Sequence, residues 1–213
     1  EILRCLVGSE MCIRDSRNAT SVEQYKEMGY LPDTLVNFLA LLGWSLDGET
    51  TIIPRDVLCR EFSLDRITRK DAILDETKLD WMNGEYIKAM DNDKYYEYAL
   101  PVIKKTIKKD LDLKKIADLV KTRIEVFPDI TEKIDFFEEL PEYDIAMYTH
   151  KKMKTNEEKA LEVLKEIYPL LEKQDDFSND ALFEALKSYV DEKGFKTGYV
   201  MWPIRTAVSG KQS

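Results

Sequence analysis

An all-helical protein is what this chain predicts. Three observations carry that expectation. Helix start and stop signals recur along the sequence, apolar residues repeat at helical spacing between them, and no alternating β-branched run suggests a strand. The composition agrees: 213 residues, 44% hydrophobic and 34% charged, suffice for one large or two small domains with real cores.

The first helices are well marked. Thr20 and Glu23 form a T-x-x-E capping box, in which each side chain can satisfy a backbone N–H of the first turn. Gly29 supplies a left-handed stop, and Pro32 sits where a first-turn proline loses no hydrogen bond. Leu31, Leu35, Phe38, Leu39 and Leu42 then share one apolar face, and Gly43 ends that helix. Asp47-Gly48 marks a turn, and Pro54 opens a short helix, RDVLCREF. Ser63 or Asp65 caps the next segment. Asp75 caps ETKLDWM, which is expected to stop at Asn83-Gly84 before Tyr86-Ile87-Lys88 adds a further turn.

From Asp91 the composition shifts. DNDKYYEYALPVIKKTIKKD reads as a capped helix that Pro101 should kink or break. Asp112 caps LKKIADLVKTRIEVF, Pro128 interrupts, and TEKIDFFEELPEYD is strongly acidic. Thr155 and Glu158 form a second capping box, with Ala160, Leu161, Leu164, Ile167 and Leu171 on one face of the helix it opens. Ser178 caps NDALFEALKSYVDEK, Gly194 closes it, and GYVMWPIRTAVSG runs to Gly210. There is no internal repeat and no low-complexity tract.

Charge narrows the function. The net charge of -9 argues against a generally sticky nucleic-acid binder, and no apolar run reaches the ~20 residues needed to span a bilayer, so a cytoplasmic protein without a membrane partner is expected. Charge is also segregated. Between Lys104 and Arg123 eight basic residues face three acids, whereas between Asp129 and Asp144 seven acids face one lysine. The basic block reads either as a solvated helix face or as a phosphate-binding surface.

Metal and nucleophile chemistry find little support. Cys5, Cys12 and Cys59 form no C-x-x-C pair, and His150 is the sole histidine, so a zinc site is not expected. His150 lies in the basic loop Thr149-His150-Lys151-Lys152 and reads as solvated surface. With one histidine, no nucleophile elbow and no paired-carboxylate motif, an independent hydrolase is disfavoured.

The first sixteen residues, EILRCLVGSEMCIRDS, lack capping logic and a clean amphipathic period, and they lack the parts of a signal peptide. Cys5 to Asp15 resembles a translated adapter scar. Residues 1–16 are therefore expected to be non-native and disordered, and are set aside from fold reasoning.

The identities of the residues add what local grammar cannot. Gly29, Tyr30, Leu31, Pro32, Leu35, Asn37, Phe38, Leu39, Leu41, Leu42, Gly43, Trp44 and Ser45 fall in step with G-[YF]-L-P-x-A-L-x-N-[YF]-L-x-L-[LM]-G-[WF]-S. That pattern comes after the ATP loop K-[LIM]-S-K-R in bacterial glutamyl-tRNA synthetases, which are class I aminoacyl-tRNA synthetases, and the chain resembles that family here. Lys78 to Ile87 is similar to the family's K-L-x-W-[ML]-N-x-x-[YH]-[IL], and Gly194 to Gly210 to its G-x-[KR]-x-G-x-[VL]-x-[WQ]-P-[LI]-R-x-A-[LV]-[TS]-G.

The resemblance covers residues 17–213. It implies an all-α chain with a stem-contact domain at 17–90 and a truncated anticodon-binding domain whose two parts are 91–146 and 147–213. Arg17 would be the remnant of the ATP loop. The catalytic domain would be absent, so this piece would hold no catalytic residue, cofactor or metal. The full-length enzyme would use ATP and Mg2+ to attach glutamate to tRNA-Glu. Trp81 and Met82 read as helix core, while Lys78, Asn83 and Lys88 are the polar candidates for the stem.

Arg123, in Val120-Lys121-Thr122-Arg123, falls near the family position where an arginine can read the last anticodon base. An arginine offers five donors in a planar fork and can stack on, or hydrogen-bond to, an unstacked loop base. Arg123 and Arg205 are therefore the candidate anticodon contacts, and Lys104, Lys108, Lys121 and Lys187 the candidate backbone-phosphate contacts. For Arg205 the competing reading is a helix C-terminal cation facing the macrodipole. The expected partner is tRNA-Glu rather than DNA, with the protein a monomer. The alternative from another class is a helical protein–protein scaffold that uses the acidic and basic blocks as docking faces.

Overall fold

The computed structural model describes residues 21–68 and 74–211. Among them every regular element is helical, and a single isolated bridge, His150 to Thr155, is the only β-type pairing. The all-α expectation holds. Residues 1–16, Thr20 and Arg17 lie outside the described residues.

The chain forms two compact units that divide between Ile134 and Asp135. The first contains α1 (Val22–Glu27), α2 (Pro32–Leu41), α3 (Arg55–Glu61), α4 (Glu76–Ala89), α5 (Asn92–Thr106) and α6 (Leu113–Val120). Short 3-10 turns lie at Leu64–Arg66 and Lys121–Arg123. The division falls inside α7 (Asp129–Glu138). The second unit continues with a 3-10 turn, Ile145–Tyr148, then α8 (Glu157–Glu172), α9 (Asn179–Lys193) and α10 (Thr197–Ser209).

Most helix ends sit where the sequence marks them. Asp75, Asp91, Asp112 and Ser178 each accept a hydrogen bond from a first-turn amide. Pro32 occupies the first turn of α2, and Gly29 and Gly194 take positive φ after α1 and α9. Both expected N-caps move by one residue, and only the first remains a reciprocal box. At α1 the reciprocal pair is Ser21 with Gln24. At α8 the cap is Asn156, whose side chain accepts from the Lys159 amide. Thr155 is instead buried and bridged to His150.

Two expected helix breaks do not occur. α4 runs unbroken through Asn83-Gly84 to Ala89. Gly84 lets α4 pack closely there: a Cβ would sit 3.3 Å from the Ile124 carbonyl oxygen, a tight contact. α5 continues through Pro101, which is exposed, as is Glu97 four residues earlier, so water can serve the carbonyl that proline leaves without a donor.

The first unit buries Tyr30, Phe38, Leu79 and Met82 between α2 and α4, with Trp44, Ile53 and Leu58 packed beside them. Tyr95, Ala99 and Ile103 of α5 and Ile116, Ala117 and Val120 of α6 are buried as well. The second unit has its own core of Val163, Ile167, Leu186, Tyr189, Val190 and Val200 from α8, α9 and α10. Each large apolar side chain buried this way contributes about 1.5–3 kcal/mol. Three assignments to apolar faces fail. Leu39, Trp81 and Leu161 are 51%, 45% and 53% exposed, because each helix turns only part of its apolar stripe inward.

Candidate nucleic-acid interface

The geometry of the first unit is set by Asn83. Its carboxamide oxygen accepts from the Leu31 amide and the Thr34 hydroxyl, both at 2.9 Å. Its amide nitrogen donates to the Glu125 carbonyl at 2.6 Å and reaches the Gly29 carbonyl at 3.4 Å. The residue is fully buried. Asn83 therefore cannot touch RNA from this position, which corrects the expectation for it. It fastens the start of α2 and the segment after Arg123 to α4, and so holds Arg123 in place from behind.

That segment begins as the 3-10 turn Lys121–Arg123, which directly follows α6. Lys121 is half-buried. Its ammonium donates to the Met90 carbonyl and to Asn92 Oδ1, and lies 5.5 Å from the centre of the Tyr95 ring. The Tyr95 hydroxyl donates to the Ala117 carbonyl at 3.0 Å, and burial pushes its pKa up. Lys121 is thus a tie between α6 and the α4–α5 junction, which leaves it little reach toward phosphate. Thr122 and Arg123, next in sequence, are exposed.

Arg123, Thr122 and Lys88 line an open groove of about 360 Å³ together with Lys133, Glu125, Asp129 and Glu132. Asp129 is engaged there, accepting from the Glu125 and Val126 amides at 3.0 Å. Lys88 pairs with Glu85 at 2.7 Å. Cations and carboxylates both line the groove. Such a lining suits a planar polar group that both donates and accepts, such as a nucleobase edge, better than a phosphate, which the acids would repel.

The remaining lysines of this unit divide. Lys78 is exposed in the first turn of α4, ten residues from Lys88, hence about 15 Å along the helix. Lys104 is exposed in the last turn of α5. Lys108 donates to the Lys104 carbonyl at 2.7 Å, closing that helix end.

In the second unit, α10 presents Arg205 to solvent, and Lys187 is exposed on α9. Arg205 lies a turn before the helix end at Ser209, where the macrodipole is weaker, so the capping-cation reading loses ground. On the neighbouring side of α10 sits Trp202, whose indole N–H donates to the Met147 carbonyl at 3.0 Å. His150 packs on it, with ring centres 4.2 Å apart. His150 is therefore half-buried structure, not the solvated surface its basic neighbours suggest. Nothing in the sequence points to a ring facing this loop.

Among the described residues no group of three His, Cys, Asp or Glu side chains is placed to hold a metal ion, and no helix is long and apolar enough to cross a membrane.

Comparison with known proteins agrees with this helical layout. A family model described as "Anticodon binding domain" matches residues 94–213, and one described as "tRNA synthetases class I (E and Q), catalytic domain" matches residues 2–81. A glutamate--tRNA ligase of Lachnoclostridium phytofermentans is 55% identical over 194 residues, covering 91% of this chain and 40% of that protein. The ligase of Clostridium acetobutylicum is 43% identical, covering 90% and 40%. A crystal structure of a glutamate tRNA ligase from Elizabethkingia meningosepticum in complex with its amino acid matches with a TM-score of 0.72 at 28% identity, over 89% of this chain and 37% of that one. The chain thus spans about 40% of the length of these curated relatives. With a family model matching more than half of its length, the chain belongs to the anticodon binding domain family.

Proposed function

We propose that this chain is the tRNA-recognising portion of a cytoplasmic, monomeric glutamate--tRNA ligase. Residues 17–90 would contact the stem of tRNA-Glu, and residues 91–146 and 147–213 its anticodon region. The observation that carries this reading is Arg123: an exposed guanidinium beside a groove of mixed charge, held from behind by the buried Asn83 amide. Arg123 would read an anticodon base. Arg205 would do the same from α10, with Lys78, Lys88, Lys104, Lys108 and Lys187 toward the RNA backbone and Lys121 in a supporting place.

The whole enzyme would activate glutamate with ATP and Mg2+ and pass it to the 3′ end of the tRNA. No set of described side chains here fits a metal ion, so no chemical step is assigned to these residues. Arg17, the proposed remnant of the ATP loop, lies outside the described residues. The same reading makes residues 1–16 a non-native addition, although the catalytic-domain match reaches back to residue 2. Genomic coding sequence upstream of Arg17 that encodes these residues would sink that part.

Arg123→Ala tests the central claim. Binding to a transcribed tRNA-Glu should fall by roughly tenfold or more, about 1–3 kcal/mol, and binding to an anticodon-mutated transcript should change far less. Equal losses on both would move Arg123 to the phosphate class. If the unaltered chain shows no preference for tRNA-Glu over a leucine tRNA at about 100 mM salt, the scaffold reading takes over, because nonspecific phosphate binding fades steeply with salt.

A further inference from the structure

The loop that joins the 3-10 turn Ile145–Tyr148 to α8 is small and highly ordered by its neighbours. His150 and Thr155 exchange backbone hydrogen bonds at 3.2 and 3.3 Å, closing a four-residue tip of Lys151, Lys152, Met153 and Lys154. The Lys154 amide donates to the Lys151 carbonyl at 3.3 Å, and Lys154 holds φ +60°, the only described non-glycine residue with a positive φ. A lysine takes that conformation at a cost, so the surroundings must impose it.

Those surroundings belong to α10. The His150 ring packs on Trp202, and His150 Nδ1 accepts from the Met153 amide at 3.2 Å. Met153 in turn lies over Gly198: a Cβ on Gly198 would fall 2.3 Å from the Met153 sulfur. The loop is therefore seated on the helix that carries Arg205, three residues beyond Trp202, with Trp202 buried and Arg205 exposed. Its three lysines are exposed, and no ion pair engages them among the described residues. The nearest acids in sequence, Glu157 and Glu158, are exposed in the first turn of α8.

We propose that Lys151, Lys152 and Lys154 form a preorganised clamp for RNA backbone phosphates, held on α10 by His150 and Met153. This rests on the proposed role in tRNA recognition and adds a site to it. Three exposed lysines on a tip of four residues concentrate positive charge where a phosphate strand could reach it, and the fixed backbone of the loop lowers the entropy lost on binding. His150 is a positioning residue, and the lysines are the contacts.

The test measures binding of the whole chain to transcribed tRNA-Glu as a function of salt. One variant carries Lys151→Gln, Lys152→Gln and Lys154→Gln. A control removes equal charge elsewhere through Lys26→Gln, Lys165→Gln and Lys173→Gln. The loop variant should flatten the dependence of log K on log salt by about two to three units, the control by much less. His150→Ala should weaken binding several-fold while leaving the slope near that of the parent, since no phosphate contact is removed. Helical circular dichroism and melting of each variant separate this from unfolding. Equal slopes for loop and control variants overturn the clamp while tRNA recognition stands. Absence of tRNA-Glu preference in the parent chain overturns the recognition reading itself. Binding by folded His150→Ala equal to that of the parent would overturn its positioning role.

Discussion

The two helical units fasten their functional surfaces by different means. In the first unit the fastener is a buried amide. Asn83 holds four backbone or hydroxyl groups from two stretches of chain, and Asn37 repeats the device, donating to the Thr51 carbonyl at 2.7 Å and accepting from the Ile53 amide at 3.2 Å. In the second unit the fasteners are rings. Trp202 takes His150 on its face and spends one N–H on Met147, while Tyr189 packs in the core and donates to Glu166 at 2.9 Å. The difference has an energetic meaning. A buried amide is all-or-none, because its removal strands several polar partners, whereas a ring can be trimmed with graded loss.

Asn83→Leu is the most direct way to break this comparison. It should leave the Leu31 amide, the Thr34 hydroxyl and the Glu125 carbonyl without their partner, at about 1–3 kcal/mol each if water cannot reach them. A total loss of about 3 kcal/mol or more in denaturant unfolding is expected. Trp202→Phe keeps a ring against His150 and loses only the bond to Met147 and part of the packing, for about 1–2 kcal/mol. Equal losses for the two variants would erase the distinction between the units.

A smaller contrast lies at the start of α8. Asn156→Ala should cost about 1 kcal/mol, as for other helix N-caps. Thr155→Val, at the neighbouring residue, should be neutral or mildly stabilising, because the Thr155 hydroxyl is buried and has no hydrogen-bond partner. The reverse outcome would restore the T-x-x-E reading of that helix start.

This exchange of roles between Thr155 and Asn156 illustrates how far the sequence can be read. Local grammar works where the physics is local: Asp75, Asp91, Asp112 and Ser178 cap as expected, since a cap needs only its own first turn. It slips by a residue where two capping residues adjoin, at Thr20-Ser21 and Thr155-Asn156. It fails where a long-range contact decides. Nothing near Gly84 in sequence announces the Ile124 carbonyl packed against it, and nothing near His150 announces Trp202, 52 positions on. The site divides the same way. Arg123 and Arg205 are legible as exposed arginines in family motifs. The burial of Asn83 and the engagement of Lys121 are not, because a polar side chain in a motif reads alike whether it faces solvent or another helix.

The smallest effects concern charge, and here too the units differ. Asp47, fully exposed in a turn of the first unit, is lowered to a pKa of about 2, first by the Thr50 hydroxyl and then by the Thr50 and Glu49 amides. Glu166 in the second unit is also lowered, first by its hydrogen bond from Lys193, then by Tyr189. For both carboxylates the folded pKa lies below the unfolded one. Their stabilisation is therefore present above the unfolded value, about 4 for such groups, and is lost as pH falls through the folded value. What separates them is salt. Asp47 is held by neutral donors within its own turn, so its titration, tracked by carbon NMR of the carboxyl, should scarcely move between low and high salt. Glu166 is held chiefly by a cation on an exposed surface, so its pKa should climb toward the ordinary range as salt screens Lys193. Thr50→Val should raise Asp47 at any salt, and Lys193→Gln should raise Glu166 and remove its salt dependence. A Glu166 pKa as insensitive to salt as that of Asp47 would place the main hold on it with Tyr189, making the ring, once more, the fastener of the second unit.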